Sequence, residues 1–367
     1  MPEPAPPPSA DVVIVGAGLA GASAALVLSR DRDVVLVEAE RLGAGASGAA
    51  AGLVNPFMGR KAKQAWRADE ALDALDELVE EAGAAPLLHR VGVLRPAAPP
   101  QAAMFQARAD EHGDALEWLG GEAAAERFPL VQAPHGALLV GRGGHVEVGA
   151  LAAAFVRAAE ARGARHVRAQ LLGWRTVPGG VVAETDAGDV RARHLVLCLG
   201  DGARHLPGTA RLPLHRVKGQ TIRLDRPSAL DPAHPAVAGR AYVVPSTDGV
   251  VVGATFEHDF THPAPDPALD AGLQEKAATL VPALGGAAVV DRRAGVRLTV
   301  PAAVAPGRLP LVGPLGGGAW VVTGLGAKGL LTAPLLARRL PAALDGREPL
   351  PPEVGAGLGR TGRGGLP

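Results

Sequence analysis

The sequence predicts an α/β protein with a second, β-rich part: a parallel sheet assembled from discontinuous pieces of chain, with an antiparallel-sheet domain inserted between them. Three observations predict it. Two apolar runs, Asp11-Val-Val-Ile-Val15 and Asp33-Val-Val-Leu-Val37, flank a glycine-rich turn and a small-residue helix. From Leu212 to Val300 the pattern alternates as antiparallel strands do. Beyond Ala319 an apolar strand and a long helix return.

Each element has a local reason. Asp11–Val15 is continuously apolar, as a strand buried on both faces of a parallel sheet must be. It runs into Gly16-Ala-Gly-Leu-Ala-Gly21 and a helix from Ala22 to Ser29, and the second strand ends in Glu38, completing a βαβ unit. Leu42–Val54 is too glycine-rich for a continuous helix and too apolar for an ordinary exposed loop. Ala65–Ala82 places Leu72, Leu75, Leu78 and Val79 on one helical face with acids opposite. Residues 86–148 read as short strands and turns with one helix near 101–112. Ala150–Arg162 is a further helix, and His194–Leu199 a further buried strand. In the β-rich stretch, Ser246-Thr-Asp-Gly249 between alternating runs marks a hairpin. Ala319–Thr323 is the last strand, followed by a glycine loop and a helix through Leu340. The proline-rich residues 1–9 and residues 351–367 are expected to be flexible tails.

The composition excludes several function classes. The 367 residues are 47% hydrophobic and 20% charged, enough to bury a sizeable core. The 37 basic and 37 acidic residues cancel, so there is no global pull toward nucleic acid or an anionic membrane. The single cysteine, Cys198, excludes an internal disulfide and favours a reducing compartment. No apolar run is long enough to span a membrane, and the first residues lack the basic and apolar regions of a signal peptide. A soluble, cytoplasmic protein is expected; the oligomeric state is left open.

The glycine turn carries the strongest chemical signal. GxGxxG between a buried strand and a helix is a dinucleotide fingerprint. Gly16 permits the tight turn, Gly18 lets backbone approach a pyrophosphate, and Gly21 lets the helix pack on the strand. The helix N-terminus offers N–H groups and partial positive charge to phosphates. Glu38 ends the second strand, where a carboxylate accepts ribose hydroxyls. A Rossmann-like dinucleotide-binding domain follows. Small side chains through 43–54 would let backbone lie flat against a large planar ring; the alternative is an alanine/glycine linker, against which apolar Leu53 and Val54 argue.

The ordered set of EAERLGAGASGAAAGL (38–53), LVLCLGDGA (195–203), VKGQ (217–220), AYVVPSTDG (241–249), RRAGVRLT (292–299) and GLGAKGLLTAPLLA (324–337) resembles the FAD-dependent oxidases of the D-amino-acid oxidase and glycine oxidase type. Within that family, the last segment and TDGVVVGATFEHD look most like the oxidase domain of the bifunctional enzyme that modifies tRNA wobble uridine to 5-methylaminomethyl-2-thiouridine. The resemblance implies an FAD-binding domain from 10–85, 143–211 and 301–350, and a substrate-binding domain from 86–142 and 212–300.

Carried over position by position, it implies FAD contacts at Gly16, Gly18, Leu19, Ala20, Gly21, Glu38, Ala39 and Arg41. Ala46, Ser47, Ala51, Gly52 and Leu53 follow from the small-residue segment, with Val167, Cys198 and Gly200 from the next strands. Gly324, Gly326, Lys328, Gly329 and Leu330 complete the cofactor set, Lys328 placing positive charge beside the flavin pyrimidine ring. Arg297 matches the arginine that receives a substrate carboxylate, for which its planar fork is suited. Tyr242, the only tyrosine, matches a substrate-facing hydroxyl. The alternatives are a strand arginine in a surface ion pair, a half-buried aromatic on a β-face and a solvated loop lysine. Cys198 also reads as a core residue in an apolar strand.

The implied activity is oxidation of the C–N bond of a glycine-like or N-substituted amino acid to an imine, with hydrolysis of the imine and reoxidation of flavin by oxygen to hydrogen peroxide. Two alternatives stand: a stand-alone oxidase acting on the carboxymethylaminomethyl group of tRNA wobble uridine, and a dehydrogenase passing electrons to a partner. A flavoprotein kept only for binding is a non-enzymatic alternative. The densest basic cluster, Arg60, Lys61, Lys63 and Arg67, reads either as the rim of a substrate entrance attracting an anion, RNA included, or as a solvated helix start. His258 and His262 lack further ligands nearby, and no metal is assigned.

Overall fold

The computed structural model describes residues 9–355 and residue 358. Ser9–Val15 lies at the centre of a parallel sheet, between Val34–Glu38 and Val190–Leu197. Arg165–Arg168 extends the sheet beyond Val34–Glu38, also parallel. Val190–Leu197 then forks. Its first residues pair antiparallel with Gly180–Thr185, and its last residues pair parallel with Ala319–Thr323. Leu171–Val177 and Leu311–Gly316 close the two branches as antiparallel strands.

The helix Leu19–Leu28 covers this sheet and is buried on all sides except at Ala20. Its alanines, Gly21 and Ser23 have little side chain to hold neighbours off. Val148–Ala161 and Gly329–Leu344 therefore pack beside it, and Leu26, Leu28, Leu36, Leu151, Phe155 and Leu336 fill one core. Ala68–Glu81 joins that core through Leu72, Leu75, Leu78 and Val79, the face its periodicity predicts.

The second large sheet has eight strands, in the order Val289–Thr299, His215–Leu224, Gly249–Gly253, Tyr242–Ser246, Ala236–Ala238, Val93–Pro96, Ala137–Val140 and Leu116–Leu119. All neighbours are antiparallel except Ala236–Ala238 and Val93–Pro96, which run parallel. The hairpin at Ser246–Gly249 forms as its sequence signals, with Ser246 opposite Gly249 and Thr247-Asp248 as its loop. A small sheet, Leu53–Val54, Gly144–Val146 and Leu88–His89, forms a seam in which His145 is buried and stacks on His89 at 4.9 Å.

Several boundaries depart from the sequence reading. Ser9 opens the first strand opposite Arg191 rather than ending a tail; residues 1–8 lie outside the described residues. Pro352–Gly355 is a short helix with Val354 buried, while the rest of the expected carboxyl-terminal tail, apart from residue 358, lies outside the described residues. Gly121–Arg127 and Asp270–Ala278 are helices inside stretches read as strands and turns. Leu273 and Ala277 of the second are buried against the eight-stranded sheet, a tertiary contact that so short and weakly patterned a segment does not announce. Among the described residues no helix is long and apolar enough to cross a membrane.

Candidate active site

The glycine turn is shaped by contacts that admit no side chain. Gly16 has φ 98°, and a Cβ there would overlap the carbonyl oxygen of Cys198; a Cβ on Gly21 would overlap the carbonyl oxygen of Gly16. Strand, turn and helix therefore pack at backbone distance. Glu38 is held by two backbone N–H groups: Ala17 donates to Oε2 at 2.6 Å and Glu40 to Oε1 at 2.9 Å. The Leu19 N–H at the helix start donates to Ser47 Oγ at 3.0 Å, so the small-residue segment folds directly over the turn.

A cavity of about 2110 Å³ opens from this turn toward the eight-stranded sheet. That is well beyond the few hundred to a thousand Å³ typical of a site for one small ligand, and suits a dinucleotide plus a substrate. Gly16, Gly18, Leu19, Ala20, Glu38 and Ala39 line one end; Cys198 and Gly200 continue the wall from the next strand. Ala46, Ser47, Ala51, Gly52 and Leu53 line its flank. Gly324, Gly326, Gly329 and Leu330 supply the loop and helix start opposite.

The far wall is one face of the eight-stranded sheet. Ala238 faces Tyr242, Tyr242 faces Gly253, Gly253 faces Thr221, and Gly219 faces Gly295, so these residues share a side. Small residues here leave room: a Cβ on Gly295 would come within 2.7 Å of the Ala46 Cα, and one on Gly219 within 2.6 Å of Arg297 Nη2. Thr221 Oγ1 donates to the Ala49 carbonyl at 3.2 Å, tying this wall to the small-residue segment.

Arg297 rises from that floor into the cavity lining, opposite Val217. Its Nη2 donates to the Thr255 carbonyl at 3.4 Å, and its Cζ stands 4.7 Å from the centre of the Phe256 ring. No carboxylate among the described residues pairs with it. Burial lowers its pKa, and the nearby Tyr242 phenol pulls the other way. A half-buried guanidinium without a counter-ion has the chemistry to receive an anion. Tyr242 lines the same wall and is partly buried against the Phe57 and Phe105 cluster.

Four residues of the implied cofactor set do not reach the lining. Gly21 acts through packing, as described above. Arg41 is exposed, and only its carbonyl takes part in the turn, accepting from Ala44. Val167 lies in register with Val37 inside the parallel sheet; Ala169 and Gln170, just beyond it, reach the cavity instead. The Lys328 ammonium turns away to the carbonyls of Gly307 and Arg308, groups that a local turn leaves open to a donor. Burial and Arg308 lower its pKa. Cys198 contributes wall rather than reactivity, for burial pushes its thiol up to about 12.

The basic cluster divides. Lys63 is exposed on the second strand of the hairpin of Phe57–Met58 and Lys63–Gln64, and Arg60 and Lys61 at its tip line the cavity. Arg67 pairs with Glu70 at 2.9 Å, one residue before the helix. His258 Nδ1 meets His215 Nε2 at 2.8 Å in a separate, shallow pocket. A buried charged residue of the cavity that the sequence reading does not single out is Arg95, in the strand Val93–Pro96. A charge in an otherwise apolar strand was the available signal.

A fingerprint turn feeding a large cavity, walled by a second sheet, defines the class of dinucleotide-dependent enzymes. Residues 11–342 match the family described as FAD dependent oxidoreductase, and the chain belongs to that family. It is 32% identical over 337 residues to the bifunctional tRNA 5-methylaminomethyl-2-thiouridine biosynthesis protein MnmC of Maricaulis maris, a match covering 91% of this chain and 50% of that protein. It is 29% identical over 358 residues to the glycine oxidase of Pseudomonas aeruginosa, covering 86% and 89%. The chain thus spans about half the length of the bifunctional relatives it matches. Its structure superimposes on glycine oxidase from Geobacillus kaustophilus with a TM-score of 0.83 at 25% identity, covering 95% of this chain and 98% of that one.

The residues present fit the FAD that the family implies. The glycine turn and helix start suit its pyrophosphate and Glu38 its ribose, and the small-residue segment with the Gly324–Leu330 loop leaves a slot free of large side chains.

Proposed function

We propose that the protein oxidises the C–N bond of a glycine-like or N-substituted amino acid to an imine, which water hydrolyses. FAD, when bound, would take the two electrons and hydrogen from the substrate carbon and return them to oxygen as hydrogen peroxide. The observation that carries this reading is Arg297, a cavity-lining guanidinium with one long bond to a carbonyl and, among the described residues, no carboxylate partner. Its fork would fix the substrate carboxylate, and Tyr242 would flank the same substrate. Orientation supplies the rate enhancement, so no protein acid or base is needed to move a proton from carbon.

A second reading is favoured by Arg60 and Lys61 at the cavity mouth and by the tRNA-modifying relatives: oxidation of the N-substituted glycine carried by a tRNA wobble uridine. Arg297 keeps its role there. Anaerobic titration of the FAD-loaded protein with glycine, sarcosine, D-alanine, D-proline and undermodified tRNA tests both. Bleaching by a small amino acid supports the first reading, and bleaching by tRNA alone supports the second. A flavin left oxidised by all five overturns both.

A further inference from the structure

We propose that the substrate carries a second anionic group, received by Arg95, so that the pocket is built for a dianionic amino acid or N-(carboxyalkyl) amino acid. This rests on the reading of Arg297 as the receiver of the first carboxylate.

Arg95 is 7% exposed and lines the same cavity as Arg297. Val93 stands beside Ala236 in the parallel pair, so Arg95, two residues on, shares the face of Ala238 and hence of Tyr242. Two cationic side chains thus flank Tyr242 on one wall. Burial lowers the pKa of both guanidinium groups, and Tyr242 pulls each partly back.

The partners of Arg95 are dipoles and a ring. Nη1 donates to the Phe57 carbonyl at 2.5 Å, Nη2 donates to the Gly59 carbonyl, and Cζ lies 5.2 Å from the centre of the Phe105 ring. Nε is enclosed without a partner. These contacts hold the side chain still but bring no negative charge, and an arginine this buried is normally paired. The cofactor phosphates would lie at the glycine turn on the other sheet, so they do not neutralise this wall. A buried and a half-buried cation beside one tyrosine, with no carboxylate paired to either among the described residues, are matched by two anionic groups on one ligand. The competing role is a purely structural one, fastening the hairpin that carries Arg60 and Lys61.

The test compares oxydiacetate with methoxyacetate, an unreactive dianion and monoanion of similar length. Binding to the FAD-loaded protein is followed by the flavin absorbance change. The wild type is expected to bind oxydiacetate about 10- to 100-fold more tightly, the worth of a hydrogen bond to a charged group. Arg95→Gln, which keeps a donor for the Phe57 carbonyl, should abolish that preference, oxydiacetate binding falling far more than methoxyacetate binding. Arg95→Lys, which keeps the charge, should retain part of it. With substrates, Arg95→Gln should raise KM for iminodiacetate by many times more than it raises KM for sarcosine.

No preference in the wild type, or an equal loss for both ligands in Arg95→Gln, overturns the proposal and leaves the hairpin anchor. Failure of the oxidase reading looks different. It leaves the flavin oxidised by every small substrate, whereas an Arg95-dependent preference for oxydiacetate would persist.

Discussion

The two walls of the cavity are built by opposite means. At the glycine turn the work falls to backbone: Gly16, Gly18 and Gly21 act by lacking side chains, and Glu38 is held by two N–H groups within the same βαβ unit. On the eight-stranded sheet the work falls to side chains. Arg95, Tyr242 and Arg297 come from three separate strands and are brought to one face by register. The first wall is local in sequence and intolerant of an added atom at Gly16 and Gly21. The second is assembled from a distance, and each of its groups is individually replaceable.

The largest effect should follow from breaking the backbone wall. Gly16→Val forces a β-branched residue into φ 98° and a Cβ into the Cys198 carbonyl, at a cost of roughly 3 kcal/mol or more. Purified protein, if obtained, should carry no flavin and melt early. Retention of full FAD content would show that the turn relaxes and would break the contrast.

The seam between the walls should show itself in acid. His145 is buried beside His89, and burial pushes its pKa down to about 4. An unfolded histidine titrates near 6.5, so the unfolded state binds the proton first. Stability is therefore full above about pH 6.5 and is lost as pH falls toward 4, by about 3 kcal/mol at most. Urea melts at pH 7.5 and 4.5 should show His145→Gln losing less between the two than the wild type. Equal losses would place the acid sensitivity elsewhere.

Arg297→Ala sharpens the comparison from the other wall. It should raise KM for a carboxylate substrate by about 100-fold, the worth of a bidentate charged pair, while FAD content stays full. An unchanged KM would remove Arg297 from the site. The smallest effect belongs to Lys328. Because its ammonium serves the carbonyls of Gly307 and Arg308, Lys328→Met should change stability by about 1 kcal/mol and leave flavin reduction within a few-fold. A collapse in reduction rate would restore the lysine to the flavin's side.

Contiguous signals were legible and distant ones were not. The fingerprint, the acidic strand end, the apolar helical face from Leu72 to Val79 and the hairpin at Ser246–Gly249 each depend on neighbours in the chain. Arg297 and Tyr242 were named through family resemblance, and both do line the cavity. The same resemblance named Lys328, Arg41 and Val167 for the cofactor; none of the three lines the cavity, the Lys328 ammonium being held by two carbonyls, Arg41 exposed and Val167 in strand register with Val37. Arg95 carries no local signal of a site beyond its charge, because its strand reads as core, and most of that strand is buried.

By itself the sequence determined the βαβ unit, its dinucleotide chemistry and the division into a parallel and an antiparallel sheet, because periodicity, glycine geometry and burial act over a few residues at a time. Tertiary structure alone decided which charged side chains face the cavity. A strand residue's direction follows from the pairing across the sheet, and a buried charge acquires its meaning from the partners it finds or lacks there.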